Sequence, residues 1–215
     1  MKNRTLILTL FSLLFAVIGC TKFGKNITVE GRVLNPITNE PIKGITVFLH
    51  KSNYKTIQKT ITEEDGKFRL SAGRLGPIWA GTDYYYKDYY DLGWDYDGKY
   101  YSELKVDKGE VMHVDYHLVP YGNLKLSINN INCIDSNDSI KVYRELLDVS
   151  NYETWSATHP YVQVGCQQTT SSDFFKVLMG KYHLWWTVHK GGAVTSYNDT
   201  IFINKNEQKI YTINY

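Results

Sequence analysis

Apolar and polar residues alternate along most of this chain, in short runs broken by Gly, Asn and Asp. Alternation with period two puts successive side chains on opposite faces and predicts half-buried strands. In "ITVEGRV", Ile27, Val29, Gly31 and Val33 share one face. In "GITVFLH", Ile45, Val47 and Leu49 do the same, and "KFRL" follows the turn signal "EEDG". Further on, "MGKYHLWWTV" sets Leu184, Trp186 and Val188 toward a core. No segment carries a convincing helical stripe longer than two turns. Many short strands with closely spaced turns predict an all-β fold built from sandwiches.

The N-terminus breaks the pattern. Lys2 and Arg4 precede 14 uncharged residues, Thr5 to Ile18. That run falls short of the ~20 residues of a comfortable membrane span and reads as a targeting segment, residues 1–19. It ends in Val17-Ile18-Gly19-Cys20. An aliphatic residue, two small positions and a cysteine directly after an apolar run resemble the lipobox of bacterial lipoproteins. The resemblance implies cleavage before Cys20 and lipidation of its sulfur and new amine. Two or more acyl chains anchor firmly where one is marginal. Residues 20–26 then form a tether. Thr21 and "KFGKN" supply neither an aspartate beside the cysteine nor an acidic cluster. By resemblance this implies the outer membrane, facing the periplasm, with the cell surface still open.

Removing residues 1–19 takes away Lys2 and Arg4 and no acid, so the 24 Lys and Arg, less those two, balance the 22 Asp and Glu. A neutral chain with no basic face argues against nucleic-acid binding. The 43% hydrophobic content fits folded domains. About 195 residues suit two domains near 100 residues each. With Cys20 assigned to lipid, Cys133 and Cys166 remain as an even pair in an oxidising compartment. A disulfide between them is the expectation, two buried thiols the alternative. Cys166 shares strand parity with Val162 and Val164, which predicts an inward sulfur.

The run "VEGRVLNPITNEPIKGITVFL" followed by "TITEEDGKFRL" resembles the carboxypeptidase regulatory-like domain, a prealbumin-like (transthyretin-like) sandwich. Gly31, Val33, Asn35, Thr38, Pro41, Ile42, Gly44 and Val47 carry the match, then Thr62, Asp65, Gly66 and Phe68. It is strong over about 27–72 and fades through 73–119. The second half reads as a diverged repeat: "VDKGEVMHVDYHL" (106–118) aligns without a gap with "INKNEQKIYTINY" (203–215). Val114, Tyr116 and Leu118 then match Tyr211, Ile213 and Tyr215 as inward residues. The domains are accordingly 27–120 and 121–215, two tandem prealbumin-like (Ig-like) β-sandwiches. The resemblance identifies a fold and says little about function.

Candidate chemistry is sparse. The chain holds no His-Glu-x-x-His, Cys-x-x-Cys or Gly-x-Ser-x-Gly and no phosphate-cradling glycine loop. His113, Asp115 and His117 share a strand face, read as a solvated sheet face. His183, Trp185, Thr187 and His189 form another one-face row, read as an exposed stripe or part of a domain contact. Neither is taken as a metal site. No catalytic residue, metal or cofactor is expected, and the protein reads as non-enzymatic.

One stretch stands out. "DYYYKDYYDLGWDYDGKYY" (83–101) holds 8 of the 18 tyrosines in 19 residues. It reads as a hairpin, with "DLGWDYDG" as its turn. Its first arm carries tyrosine on both faces, so one set must cover something or meet solvent. Tyr85, Tyr89, Trp94 and Tyr101 are the expected outward set and the candidate binding surface. Beyond the lipid bilayer, held through Cys20, two partner classes stay open. The accessory or assembly reading implies an outer-membrane protein, since such domains also resemble the periplasmic extension of TonB-dependent transporters. A glycan held by the 83–101 hairpin is the alternative.

Overall fold

The computed structural model describes residues 26–73, 76–83, 87–106, 109, 111–149, 160–167 and 170–215. These form seventeen strands and no helix. The first ten are β1 (Ile27–Leu34), β2 (Thr46–Lys51), β3 (Thr56–Ile61), β4 (Lys67–Ala72), β5 (Ile78–Thr82), β6 (Tyr89–Tyr96), β7 (Lys99–Tyr101), β8 (Leu104–Val106), β9 (Val111–His113) and β10 (Asp115–Asn129). The remainder are β11 (Ser139–Leu146), β12 (Tyr161–Val164), β13 (Thr170–Ser171), β14 (Phe175–Leu178), β15 (Gly180–Lys190), β16 (Ala193–Ile203) and β17 (Gln208–Asn214). The chain divides into two compact units. The first takes its described residues from Met1–Leu34, Pro41–Asp83 and Gly93–Tyr116, the second from Asn35–Glu40, Tyr84–Leu92 and His117–Tyr215.

In the first unit, β1 pairs antiparallel with β4 and parallel with β9. The other sheet has the order β3-β2-β5-β8. Ile27, Val29 and Val33 of β1, Phe68 and Leu70 of β4, Val47 and Leu49 of β2, and Ile78 and Ala80 of β5 are all buried. This is the parity the alternation predicts, and each large aliphatic side chain so buried is worth about 1.5–3 kcal/mol. Gly31 interrupts the β1 row for a steric reason: a Cβ there would fall on the backbone carbonyl oxygen of Val114. Thr62 closes the corner from inside. Its hydroxyl donates to the Ile42 carbonyl at 2.8 Å and accepts from the Ile45 amide at 3.0 Å.

In the second unit, β10 pairs antiparallel with β13 and β14 and parallel with β17. The other sheet has the order β12-β11-β15-β16. Leu124, Leu126 and Ile128 of β10, Ile213 of β17, Ile140 and Val142 of β11, and Leu184 and Val188 of β15 are buried. The two units share a closing step. β9 runs parallel to β1 from Thr28↔Val111, and β17 runs parallel to β10 from Asn123↔Gln208. Val111 and Gln208 are the positions that the ungapped repeat alignment superposes.

Three features differ from the sequence expectations. The units are not the contiguous blocks 27–120 and 121–215, because Asn35–Glu40 and Tyr84–Leu92 group with the second unit and β10 runs unbroken through 119–123. "DLGWDYDG" is not a turn: most of it is strand β6, and only Asp97-Gly98 turns, with φ of 52° and 71°. A two-residue Asp-Gly loop at positive φ is the hairpin turn whose twist suits its strands. β7 therefore pairs back onto β6 (Trp94↔Tyr101), while β5 takes β8 (Ile78↔Val106). Lastly, Cys133 and Cys166 are joined with Cα atoms 5.3 Å apart, inside the usual range for a bridge. The sulfur of Cys166 does not point inward, however. Gln163 is the buried residue of β12, and Val162 and Val164 are 48% and 58% exposed. Valine fits a strand's pleat on either face, so it misreports burial on an edge strand.

Candidate functional site

The outward face of β11, β15 and β16 carries a partly open aromatic cluster. Register sets it up. β11 and β15 pair antiparallel with Tyr143 opposite Trp185 and Glu145 opposite His183. β15 and β16 pair with Trp185 opposite Asn198 and Thr187 opposite Ser196. Directly opposed residues project to one side of a sheet. Leu184 and Val188 therefore go to the core, while Tyr143, His183, Trp185 and Thr187 face out, all four partly exposed. The Tyr143 and Trp185 rings stack with centroids 5.4 Å apart and planes within 6°. The His183 ring lies 5.2 Å from the Trp185 ring, tilted 26°. A depression of about 410 Å³ lies alongside, lined by Glu145, His183, Trp185, Thr187, Ser196 and Asn198 among others. The Thr187 and Ser196 hydroxyls are 3.5 Å apart, too far for a strong mutual bond.

On the opposite side of these strands Trp186 stacks on the half-exposed Tyr197 ring at 5.9 Å, and several polar groups are held by internal bonds. The Tyr182 hydroxyl donates to the Leu178 carbonyl at 3.0 Å, and burial pushes its pKa up to about 12. The Arg144 guanidinium sits 4.5 Å above the Phe175 ring, and burial lowers its pKa. Toward the β16 edge, the Tyr211 hydroxyl donates to Asp199 at 2.6 Å. That bond, with the Thr200 amide, holds the Asp199 carboxyl below its usual range. Burial, then the same bond, raises Tyr211.

The first unit has a larger cleft, about 810 Å³, of a different character. Its sheet side is a ladder of paired charges. Glu30 meets both Arg69 and the His113 ring, and Arg32 meets Asp115. Each formal charge in this ladder already has a partner.

The described members of the predicted site differ in burial. Trp94, expected outside at a turn, is fully buried at 0% exposure. It sits edge-on to Tyr116 at 4.8 Å and to Phe68 at 5.8 Å, in the first unit's core. The cause is the strand character of β6, which gives Trp94 the inward parity of Leu92. Tyr89 is half-buried, and Lys205 lies over its ring and donates to its hydroxyl at 2.9 Å. Tyr101 is outward, 39% exposed. Tyr85 and Cys20 lie outside the described residues. His113 is exposed as expected, but His117 is buried, so the His113–His117 row is not one solvated face. Among the described residues, no cluster of three or more His, Cys, Asp or Glu is arranged to hold a metal ion. The row from His183 to His189 is legible in the sequence. Tyr143 is not, since only the β11–β15 register brings it to Trp185.

No family model matches the chain, and no curated protein matches it. Several solved structures align over most of its length at low identity. The TIE protein of Bacillus anthracis is 16% identical over 89% of this chain and 33% of its own, with a TM-score of 0.35. A streptococcal ancillary pilin is 13% identical over 88% of this chain and 62% of its own, with a TM-score of 0.33. A DUF3823 family protein from Bacteroides uniformis is 13% identical over 83% of this chain and 99% of its own, with a TM-score of 0.31. The chain thus spans a third of the first of these proteins and under two thirds of the second. No function is carried over from them.

Proposed function

We propose that the protein is a lipid-anchored, non-enzymatic accessory or binding module of the outer membrane, held through Cys20 and facing the periplasm. The observation that carries this reading is Val17-Ile18-Gly19-Cys20 directly after 14 uncharged residues. The folded part supports it by what its reactive side chains are doing. His50 is buried, near the rings of Phe48, Tyr54 and Trp79. His113 pairs with Glu30, and His183 stacks on Trp185. Such a scaffold offers sheet faces for contact, and a membrane protein is the partner that the anchor brings closest.

Glycan binding is the second reading, and one observation favours it: half-open stacked rings beside the hydroxyls of Thr187 and Ser196 and the amide of Asn198 on β15 and β16. Its seat moves from the 83–101 hairpin to that face, because Trp94 is buried.

The anchor is tested in cells fed a radiolabelled or clickable fatty acid. The wild-type chain takes up label and partitions with membranes as the processed form. Cys20→Ala takes up none and stays unprocessed. An unlabelled wild-type chain, or normal processing and membrane retention of Cys20→Ala, overturns the reading.

A further inference from the structure

We propose that the depression beside Trp185 is a carbohydrate subsite that takes one pyranose ring of a neutral glycan. The proposal rests on the reading of the protein as a binding module and names the site and the ligand class.

The geometry matches the two sides of a sugar. A pyranose presents one face of C–H bonds and a rim of hydroxyls. The C–H hydrogens carry slight positive charge and suit the negative face of an indole. Trp185 supplies that ring, and its neighbours brace it: Tyr143 stacks at 5.4 Å and His183 at 5.2 Å. A ring fixed before binding loses little conformational freedom on contact. The rim needs groups that both give and accept hydrogen bonds. Thr187 and Ser196 hydroxyls do both, the Asn198 amide does both, and Glu145 accepts. The 3.5 Å gap between the two hydroxyls leaves them ready to bond elsewhere. A volume of about 410 Å³ lies within the range of small-ligand sites.

The same residues select against other occupants. The lining contains no Lys or Arg, and it contains the Glu145 carboxylate. An acidic sugar or a phosphate would meet repulsion from Glu145 and no Lys or Arg to offset it. A protein hot spot wants an apolar, fully desolvated pocket, whereas here hydroxyl, amide and carboxylate groups sit among the aromatic rings of Trp185, Trp186 and Tyr197.

The test uses the full folded chain, with affinity electrophoresis through gels containing neutral polysaccharides (a glucan, a mannan, a xylan, a galactan) and an acidic one, polygalacturonate. Titration calorimetry with oligosaccharides of any retarding polymer follows. At least one neutral polymer should retard the wild-type protein. Trp185→Ala should weaken that binding by at least about fivefold, the loss expected of one aromatic contact. Asn198→Ala should weaken it about threefold or more. Tyr101→Ala, on the first unit, should bind as wild type. Hydrogen exchange of β11 and β15 confirms that the variants are folded. Retardation by none of the neutral polymers overturns the proposal, as does equal binding by folded Trp185→Ala, or retardation by polygalacturonate alone. A purified membrane-protein partner lost on Trp185→Ala, with no polysaccharide retarded, replaces the sugar by a protein and leaves the binding-module reading standing. Failure of fatty-acid labelling at Cys20 would remove the anchor without touching the sugar site.

Discussion

The two units each present an outward sheet face, and the faces are finished differently. On the first, β1, β4 and β9 hold cross-strand charges in register: Arg69 and His113 on Glu30, Arg32 on Asp115. On the second, β11 and β15 hold Tyr143, Trp185 and His183 in a stack beside neutral hydroxyls and an amide. Exposed ion pairs contribute little to stability, and their heads remain hydrated. A half-exposed aromatic stack leaves apolar surface in water, which stability alone does not require. Among the described residues, the charged face thus leaves no apolar ring open, and the aromatic face does. The aromatic count along the chain points elsewhere, to 83–101, but position within a sheet decides which rings are open.

The largest effect that separates core from contact comes from two tryptophans. Trp94→Ala should destabilise the protein by about 3–5 kcal/mol, the range for a buried aromatic. Trp185→Ala should change stability by less than about 1 kcal/mol, as surface substitutions do. Trp94→Phe should fall between them, because the Trp94 indole N–H has no hydrogen-bond partner to lose. Chemical denaturation of the three variants measures all of this. A costly Trp185→Ala beside a harmless Trp94→Ala would reverse the assignment of the two faces.

Some of this was legible in the sequence, and the reasons are local. Ile27, Val29 and Val33, or Val47 and Leu49, alternate with polar neighbours, so their parity reads directly and agrees with their burial. The repeat is legible in the spacing of 106–118 and 203–215, and both copies close their unit with a parallel strand. In 83–101 the signal fails because tyrosine and aspartate give no polar–apolar contrast between faces. "DLGWDYDG" reads as a turn through Trp94 because Asp95, Asp97 and Gly98 follow it, whereas only Asp97 and Gly98 turn. Asn35–Glu40 joining the second unit has no local sequence signal at all. The Tyr143–Trp185 stack depends on register between strands some forty residues apart, which no window of sequence contains.

The disulfide gives a second contrast of intermediate size. Beyond Cys20 the only cysteines are Cys133 and Cys166, both in the second unit. Closing a loop of sequence separation 33 is worth ~3–4 kcal/mol in the chain-entropy model. The double variant Cys133→Ser/Cys166→Ser should therefore weaken hydrogen-exchange protection of β11 and β15. Protection of β1 and β4 in the first unit should hold. Equal losses in both units would show that they open together. No loss in either would show that the bridge adds nothing to the fold.

The smallest effect lies at the β16 edge, on the side opposite the aromatic face, and contrasts with the charge ladder of the first unit. There, pairs such as Arg32–Asp115 weaken as salt screens them. On β16, whose residues 193–200 are exposed, Asp199 instead takes a neutral donor, the Tyr211 hydroxyl, at 2.6 Å. That bond is the largest cause of the lowered Asp199 pKa, so the folded carboxyl titrates below 3.8. A carboxyl depressed on folding adds stability above its unfolded pKa, and that stability is lost as pH falls through the folded pKa. Tyr211→Phe removes the donor and should return the Asp199 pKa toward 3.8. The variant should be slightly less stable than wild type at neutral pH, and the part of that difference owed to Asp199 should vanish on acidification through the folded pKa. Titration of the Asp199 carboxyl by NMR in both proteins, at low and high salt, reads the effect. An Asp199 pKa unmoved by Tyr211→Phe would mean that the bond does not form in solution and that the β16 edge is held by its backbone pairing to β15.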